Sequence, residues 1–296
     1  MQLKLVRHLA VIALASVACT TARNNTADHS DHDSAAPAGA VSTSPASGLP
    51  ADAAGARARL AASPRHSEWV MISAGADSVR AFIVYPERKT NAPVVVVVHE
   101  IFGLSPWIRA VADQFAADGF IAIAPDLLTA KNLPNTTDSV PADQAVAAIR
   151  TVNMDDVHRQ ILAAANYAMN LPSAVKKYGV VGFCWGGGVS FEHAVRSASL
   201  GASVVYYGTS PASDRLSSIN APVLGLYGGN DARVNATIPA ADSTMKALNK
   251  KYETHIYEGA GHGFLRQQGG QNGANLTAAQ QAWPATIAWF RRYLDA

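Results

Sequence analysis

Five consecutive valines, Val94 to Val98, stand between Pro93 and His99. β-Branched side chains favour extended backbone, and a run without a polar position has no face to give to water. Such a strand has to be covered on both sides, as in the middle of a parallel sheet clothed by helices. Just downstream, Ser105-Pro106 supplies an N-cap and a proline at the first helical position, and Gly119 supplies a stop, so a helix is expected over 107–117.

The same strand-then-helix texture recurs. Strands are expected at 120–124, 178–182, 202–206, 222–227 and 252–257, with helices at 155–170, 185–198, 236–249 and 277–294. That alternation implies an α/β domain with a mostly parallel central sheet and helices on both faces. Reactive groups in such sheets gather at the carboxyl ends of the strands. With 49% hydrophobic residues in 296, the chain can bury one large core. A net charge of +2, with no block of Lys or Arg, offers nucleic acid no footprint.

The amino terminus has a different character. Residues 1–19 read as an export signal, with Lys4 and Arg7 ahead of an apolar run at 9–18 that is too short to span a bilayer. Cys19 after Val17-Ala18 resembles a bacterial lipoprotein site, at which cleavage leaves the cysteine N-terminal and its sulfur lipidated. The expected location is therefore periplasmic, tethered to the membrane through Cys19. Ser16 stands where such signals usually carry Leu, which keeps a soluble periplasmic or secreted protein as the alternative. Residues 20–63 contain almost no large apolar side chain and are expected to be a disordered tether, since burial there cannot offset ordering entropy. The Asp28-His29-Ser30-Asp31-His32-Asp33 cluster within it reads as a solvated charge run rather than a metal site. The folded domain is expected over 64–296, as a monomer.

Gly182-Phe183-Cys184-Trp185-Gly186 has the GxSxG form of a nucleophile elbow with Cys in place of Ser. The turn from strand to helix is so tight there that the flanking positions admit only glycine. Cys184 would be exposed at a helix N-terminus, where the dipole favours thiolate. An elbow needs an acid and then a histidine further along the chain. Asp231 in Tyr227-Gly228-Gly229-Asn230-Asp231 and His262 in Gly261-His262-Gly263-Phe264 each follow an expected strand. His262 would take the thiol proton, and Asp231 would orient the imidazole. Glu100, at the end of the valine strand, faces the same cleft and could tune the thiol by accepting its proton or by holding it neutral until substrate arrives. Asp126 reads as a structural turn residue, and Trp107, Trp283 and Trp289 as core or cover.

These motifs resemble the dienelactone hydrolase family of α/β-hydrolases, which use Cys where most relatives use Ser. The resemblance is carried, in order, by HEIFGL at 99–104, APDLL at 124–128, GFCWGG at 182–187, YYG at 206–208, GGND at 228–231 and GHGF at 261–264. It implies an α/β-hydrolase fold, with Cys184 as nucleophile, Asp231 and His262 as its partners and Glu100 as the glutamate that communicates with the thiol. It also implies an oxyanion hole from the N–H groups of Trp185 and Ile101, and a substrate-carboxylate contact at Arg266. Near Ala142 the family has a second substrate arginine, and near Val146 and Ile149 aromatic pocket residues. Arg150 is close to the first but out of register.

The expected activity is hydrolysis of a small lactone or ester through an acyl-enzyme, with no metal or organic cofactor and a small-molecule partner. A broader exported carboxylester or thioester hydrolase is the alternative within the enzyme class. A tethered binding module without turnover is the alternative outside it.

Overall fold

The valine run forms the fully buried strand β3 (Ala92–Val98) at the centre of an eight-stranded sheet. The computed structural model describes residues 48–131, 133 and 140–295. Around β3 lie β1 (Ser67–Ala74), β2 (Asp77–Val84), β4 (Ile121–Pro125), β5 (Ala174–Phe183), β6 (Ala202–Tyr206), β7 (Val223–Gly228) and β8 (Tyr252–Tyr257), in the spatial order β1-β2-β4-β3-β5-β6-β7-β8. From β4 to β8 every pairing is parallel, whereas β1 and β2 form an antiparallel hairpin and β2 meets β4 antiparallel. The expected α/β class with a mostly parallel sheet is what is found.

Helices cover both faces. They are α1 (Ala56–Ala61), α2 (Pro106–Ala117), α3 (Ala142–Ile149), α4 (Met154–Met169), α5 (Trp185–Arg196), α6 (Ala232–Asn235), α7 (Ile238–Ala247) and α8 (Ala274–Leu294). Alternate valines of β3 divide between the two cores. Val95 and Val97 join Trp107, Phe115, Trp283 and Phe290 under α2 and α8, while Val94, Val96 and Val98 join Val157, Ile161 and Phe191 under α4 and α5. Trp107, Trp283 and Trp289 are core residues, as their spacing implied. Asp126 is buried against Arg80 at 3.4 Å and accepts the Leu128 N–H, a turn residue. Among the described residues no helix is long and apolar enough to cross a membrane.

One expected boundary moves. Residues 48–63, read as the end of a tether, belong to the folded domain: Leu49, Ala51 and Ala56 are buried, Trp107 Nε1 donates to the Ala51 carbonyl, and Ala53 N–H donates to the Arg266 carbonyl. The segment is held less by bulk apolar area than by a polar clamp. Asp113 on α2, 2% exposed, takes Arg65 at 2.7 Å, Arg59 at 3.3 Å and the Ser63 hydroxyl. Small apolar residues and arginines carry little sequence signature of burial, so composition misreads the segment. The export signal, the Asp/His cluster and Cys19 lie outside the described residues.

Candidate active site

β5 runs directly into α5, and Cys184 occupies the single residue between them with φ 56° and ψ −116°. A non-glycine residue in that conformation costs about 1–3 kcal/mol and persists only where its surroundings impose it. They do so here. A Cβ on Gly182 would overlap the carbonyl of Gly186, and one on Gly186 would overlap the carbonyl of His99. The Cys184 N–H is tied to the Tyr206 carbonyl at 3.1 Å, fixing the turn to the neighbouring strand.

The turn presents Cys184 at a cavity of about 470 Å³, lined also by Ile101, Trp185 and Tyr207. The thiol is free. Its proton is held more tightly than in an ordinary cysteine: burial dominates, with the negative charges of Glu100 and Asp231 adding to it, against the Trp185 N–H and the charge of Arg233. Of the two influences expected on the thiol, the helix N-terminus favouring thiolate and the nearby carboxylate favouring the neutral form, burial adds to the second and outweighs the first.

Asp231 and His262 sit at the ends of neighbouring strands, β7 and β8, and meet with Nδ1 and Oδ2 2.5 Å apart. Asp231 is also the N-cap of α6, accepting the Val234 N–H, so the turn that ends β7 fixes the carboxylate. The bond to Nδ1 leaves Nε2 as the basic nitrogen, available for a proton. In this structure Sγ makes no hydrogen bond to His262. Tyr207, which lines the same cavity as Cys184, meets the imidazole with its ring edge-on at 5.2 Å. Resting nucleophile–base contacts are commonly open in this way until substrate binds.

Glu100, expected to face the cleft, is buried to 3% exposure and is not among the residues that line the cavity, although its charge is felt by the thiol. Burial pushes its carboxyl up to about 7, against the opposing charge of Arg266. Arg266 Nε lies 2.9 Å from Glu100 Oε1, and the guanidinium is stacked 4.9 Å from the Phe102 ring centroid. Arg266 is thus engaged by Glu100 and Phe102, and it does not line the cavity that Cys184 enters. Ile101 and Trp185 both line it.

Two contributors carried no role in the sequence. His99 donates from Nδ1 to the Glu100 carbonyl at 2.8 Å and accepts the Leu127 N–H at Nε2 at 3.2 Å, which fixes a neutral tautomer under the Glu100–Ile101 peptide. Tyr207 has φ 39°, and its buried hydroxyl lacks a hydrogen-bond partner. Both stood inside motifs, HEIFGL and YYG, yet nothing in a motif tells which way a buried ring points. Among the described residues no three His, Cys, Asp or Glu side chains converge as a metal site.

The sequence profile of the dienelactone hydrolase family matches residues 79–294. The chain belongs to the dienelactone hydrolase family. Like its family, it is a carboxylic ester hydrolase. Among curated dienelactone hydrolase relatives, a carboxymethylenebutenolidase-like protein of Salmonella typhimurium is 30% identical over 82% of this chain and 96% of its own length. Another from Saccharolobus solfataricus is 30% identical over 72% of this chain and 94% of its own length. A dienelactone hydrolase-like crystal structure from Klebsiella pneumoniae superposes with a TM-score of 0.69 at 27% identity, covering 77% of this chain and 99% of that one.

Proposed function

We propose that this enzyme hydrolyses a small ester or lactone through a thioester acyl-enzyme on Cys184. The observation that carries the reading is Cys184 in its strained elbow, lining the cavity, with Asp231 and His262 held 2.5 Å apart just beyond the neighbouring strands. Substrate in the cavity closes the gap between Sγ and the imidazole. His262 Nε2 takes the thiol proton as Sγ attacks the carbonyl carbon, and the C=O π electrons move onto oxygen. The N–H groups of Trp185 and Ile101 receive that oxyanion; each such donor is worth about 3–4 kcal/mol in the transition state.

Collapse of the tetrahedral intermediate breaks the C–O ester bond, and imidazolium protonates the leaving oxygen. In a lactone that oxygen stays on the acyl chain. Water then loses a proton to His262, attacks the thioester carbonyl and releases acid, while Sγ recovers its proton. Asp231 holds the imidazole tautomer throughout. A resting neutral thiol, held so by burial and by Glu100, protects the nucleophile from oxidation and adventitious alkylation.

The test is rapid quenching of a p-nitrophenyl ester reaction followed by mass analysis of the peptide bearing Cys184. An acyl adduct on that peptide supports the route. Full turnover with a burst but with the adduct on another residue contradicts it. The engagement of Arg266 by Glu100 favours a second reading, a broader carboxylester hydrolase, and the relative turnover of a carboxylated enol-lactone and a simple ester separates the two.

We further propose that the chain is exported and held at the periplasmic membrane face through lipidated Cys19. Lys4 and Arg7, the apolar run at 9–18 and the position of Cys19 support this. Membrane fractionation of the wild type beside Cys19→Ala tests it; equal partitioning of both would count against a lipid anchor.

A further inference from the structure

Trp185, Gly188, Val189 and Glu192 of α5 all line the cavity at Cys184. Their spacing, i, i+3, i+4 and i+7, is one face of a helix, so the cavity is a groove that follows α5 away from the thiol. From Trp185 to Glu192 the helix rises about 10 Å. Met154, at the start of α4, and Pro211, on the segment after β6, add further apolar lining.

Gly188 keeps this groove open. A Cβ there would come within 3.3 Å of Thr209 Oγ1 and 3.5 Å of the Thr209 carbonyl oxygen, so any side chain would enter the gap between α5 and the segment after β6. Its backbone is ordinary right-handed helix, so the glycine serves space and not a turn. The neighbouring walls are firm: Val189 is 2% exposed, and Trp185 stacks on His99 with centroids 5.6 Å apart. The apolar stretch along α5 ends at Glu192, which is held by Arg196 Nε at 2.9 Å and by Arg215; Arg233, exposed on α6, also lines the cavity.

We propose that the groove is an acyl-chain subsite whose specificity-determining residue is Gly188, so that the preferred substrate is an ester or lactone with an unbranched aliphatic acyl chain of about six to eight carbons. This rests on the reading of Cys184 as nucleophile. The leaving oxygen has to meet His262 to be protonated, and His262 does not line the groove, so the acyl side of the substrate lies there. An extended chain advances about 1.2 Å per bond, so roughly eight bonds cover the rise from Trp185 to Glu192. Each methylene taken from water into the groove favours binding by roughly threefold until the chain meets the charged end.

Two assays on the full chain test it. In the first, kcat/KM is measured for p-nitrophenyl acetate, hexanoate, octanoate and dodecanoate with wild type, Gly188→Ala, Gly188→Leu and Met154→Trp, each checked for folding by circular dichroism. In the second, the rates of Cys184 alkylation by N-hexyl iodoacetamide and by iodoacetamide are compared across the same proteins. Alkylation needs the thiol and the groove but no turnover, and each ratio of long to short reagent cancels any general change in thiol reactivity.

In wild type, kcat/KM should rise by roughly threefold per methylene from acetate to hexanoate, mainly through KM, and should stop rising before dodecanoate. The octanoate-to-acetate ratio should fall by roughly tenfold in Gly188→Leu and by less in Gly188→Ala. Met154→Trp fills the groove from the α4 side and should lose the same preference, which decides the matter if Gly188→Leu does not fold. A flat wild-type profile, or folded Gly188→Leu and Met154→Trp proteins with the wild-type ester ratio, would overturn the subsite. A lower N-hexyl ratio in Gly188→Leu together with ester turnover that survives Cys184→Ala would uphold the groove and reject the hydrolytic role of Cys184.

Discussion

Glu100 Oε1 and Arg266 Nε are 2.9 Å apart, yet the Arg266 N–H is not aimed along the contact and neither atom has a hydrogen bond. Opposite charges are adjacent without the directional bond that would hold the carboxylate ionised. Burial then prevails, and the carboxyl is pushed up to about 7. Glu100 is thus poised to change charge near neutrality beside a thiol that its negative charge discourages from ionising.

The sign of the resulting pH dependence follows directly. A carboxyl whose proton is held more tightly in the folded state contributes stability that is complete below its unfolded value near 4.5 and is lost as pH rises through about 7. Glu100→Gln lacks that loss. Between pH 5 and pH 8 its stability relative to wild type should rise by about 2–3 kcal/mol, read from urea unfolding at the two pH values. A constant difference across that range would show that Glu100 titrates normally.

A buried histidine pair behind the sheet has the opposite dependence. His158 Nδ1 and His193 Nδ1 are 3.2 Å apart, His193 Nε2 meets the Tyr178 hydroxyl at 3.1 Å, and burial lowers the two histidines to about 4 and about 3. Their lowered values mean that stability is complete above the unfolded value near 6.5 and is lost as pH falls below it. The contribution of this pair should therefore begin to fall as pH drops below about 6.5, against the opposite trend from Glu100. His158→Gln should flatten the decline between pH 6.5 and 4.5 by roughly 2 kcal/mol, measured by chemical denaturation.

The folded segment ahead of β1 gives a third prediction. A chain beginning at Pro64 loses the Ala51 and Ala53 contacts and leaves Asp113 without Arg59 and Ser63. It should be less stable than one beginning at Gly48 by several kcal/mol, with Asp113→Ala in the longer chain costing about 3–5 kcal/mol, as for a buried pair robbed of one partner. Equal melting temperatures for the two chains would show that the segment is dispensable.

Much of this architecture was legible in the sequence because each element owed its signal to local chemistry. β3 is a valine run, α2 has Ser105-Pro106 and Gly119 at its ends, and β6 and β8 fall at the expected residues. The β1–β2 hairpin was not legible: it is an edge feature with several exposed positions, and its pairing is a long-range fact. The chain order of Cys184, Asp231 and His262 was readable from glycine punctuation at strand ends. The contact of Arg266 with Glu100 and the tighter hold on the thiol proton both depend on burial in three dimensions, which spacing cannot supply.

The elbow itself can be probed at a glycine. Gly182→Ala places a methyl group against the Gly186 backbone, which cannot retreat without unwinding the first turn of α5. Overpacking of this kind costs about 1–3 kcal/mol or more, and here it also displaces Sγ. Activity should fall by more than the loss of folded protein measured by circular dichroism, and a proportional fall would place the damage in stability alone.

The most direct test of the account is steady-state hydrolysis of p-nitrophenyl acetate by the full chain, wild type beside Cys184→Ala and Cys184→Ser, with folding checked by circular dichroism. The account predicts that the folded alanine variant loses turnover by at least about a thousandfold and that serine restores little of it, since an alkoxide is harder to form than a thiolate in this buried turn. A folded Cys184→Ala variant with wild-type turnover would contradict it.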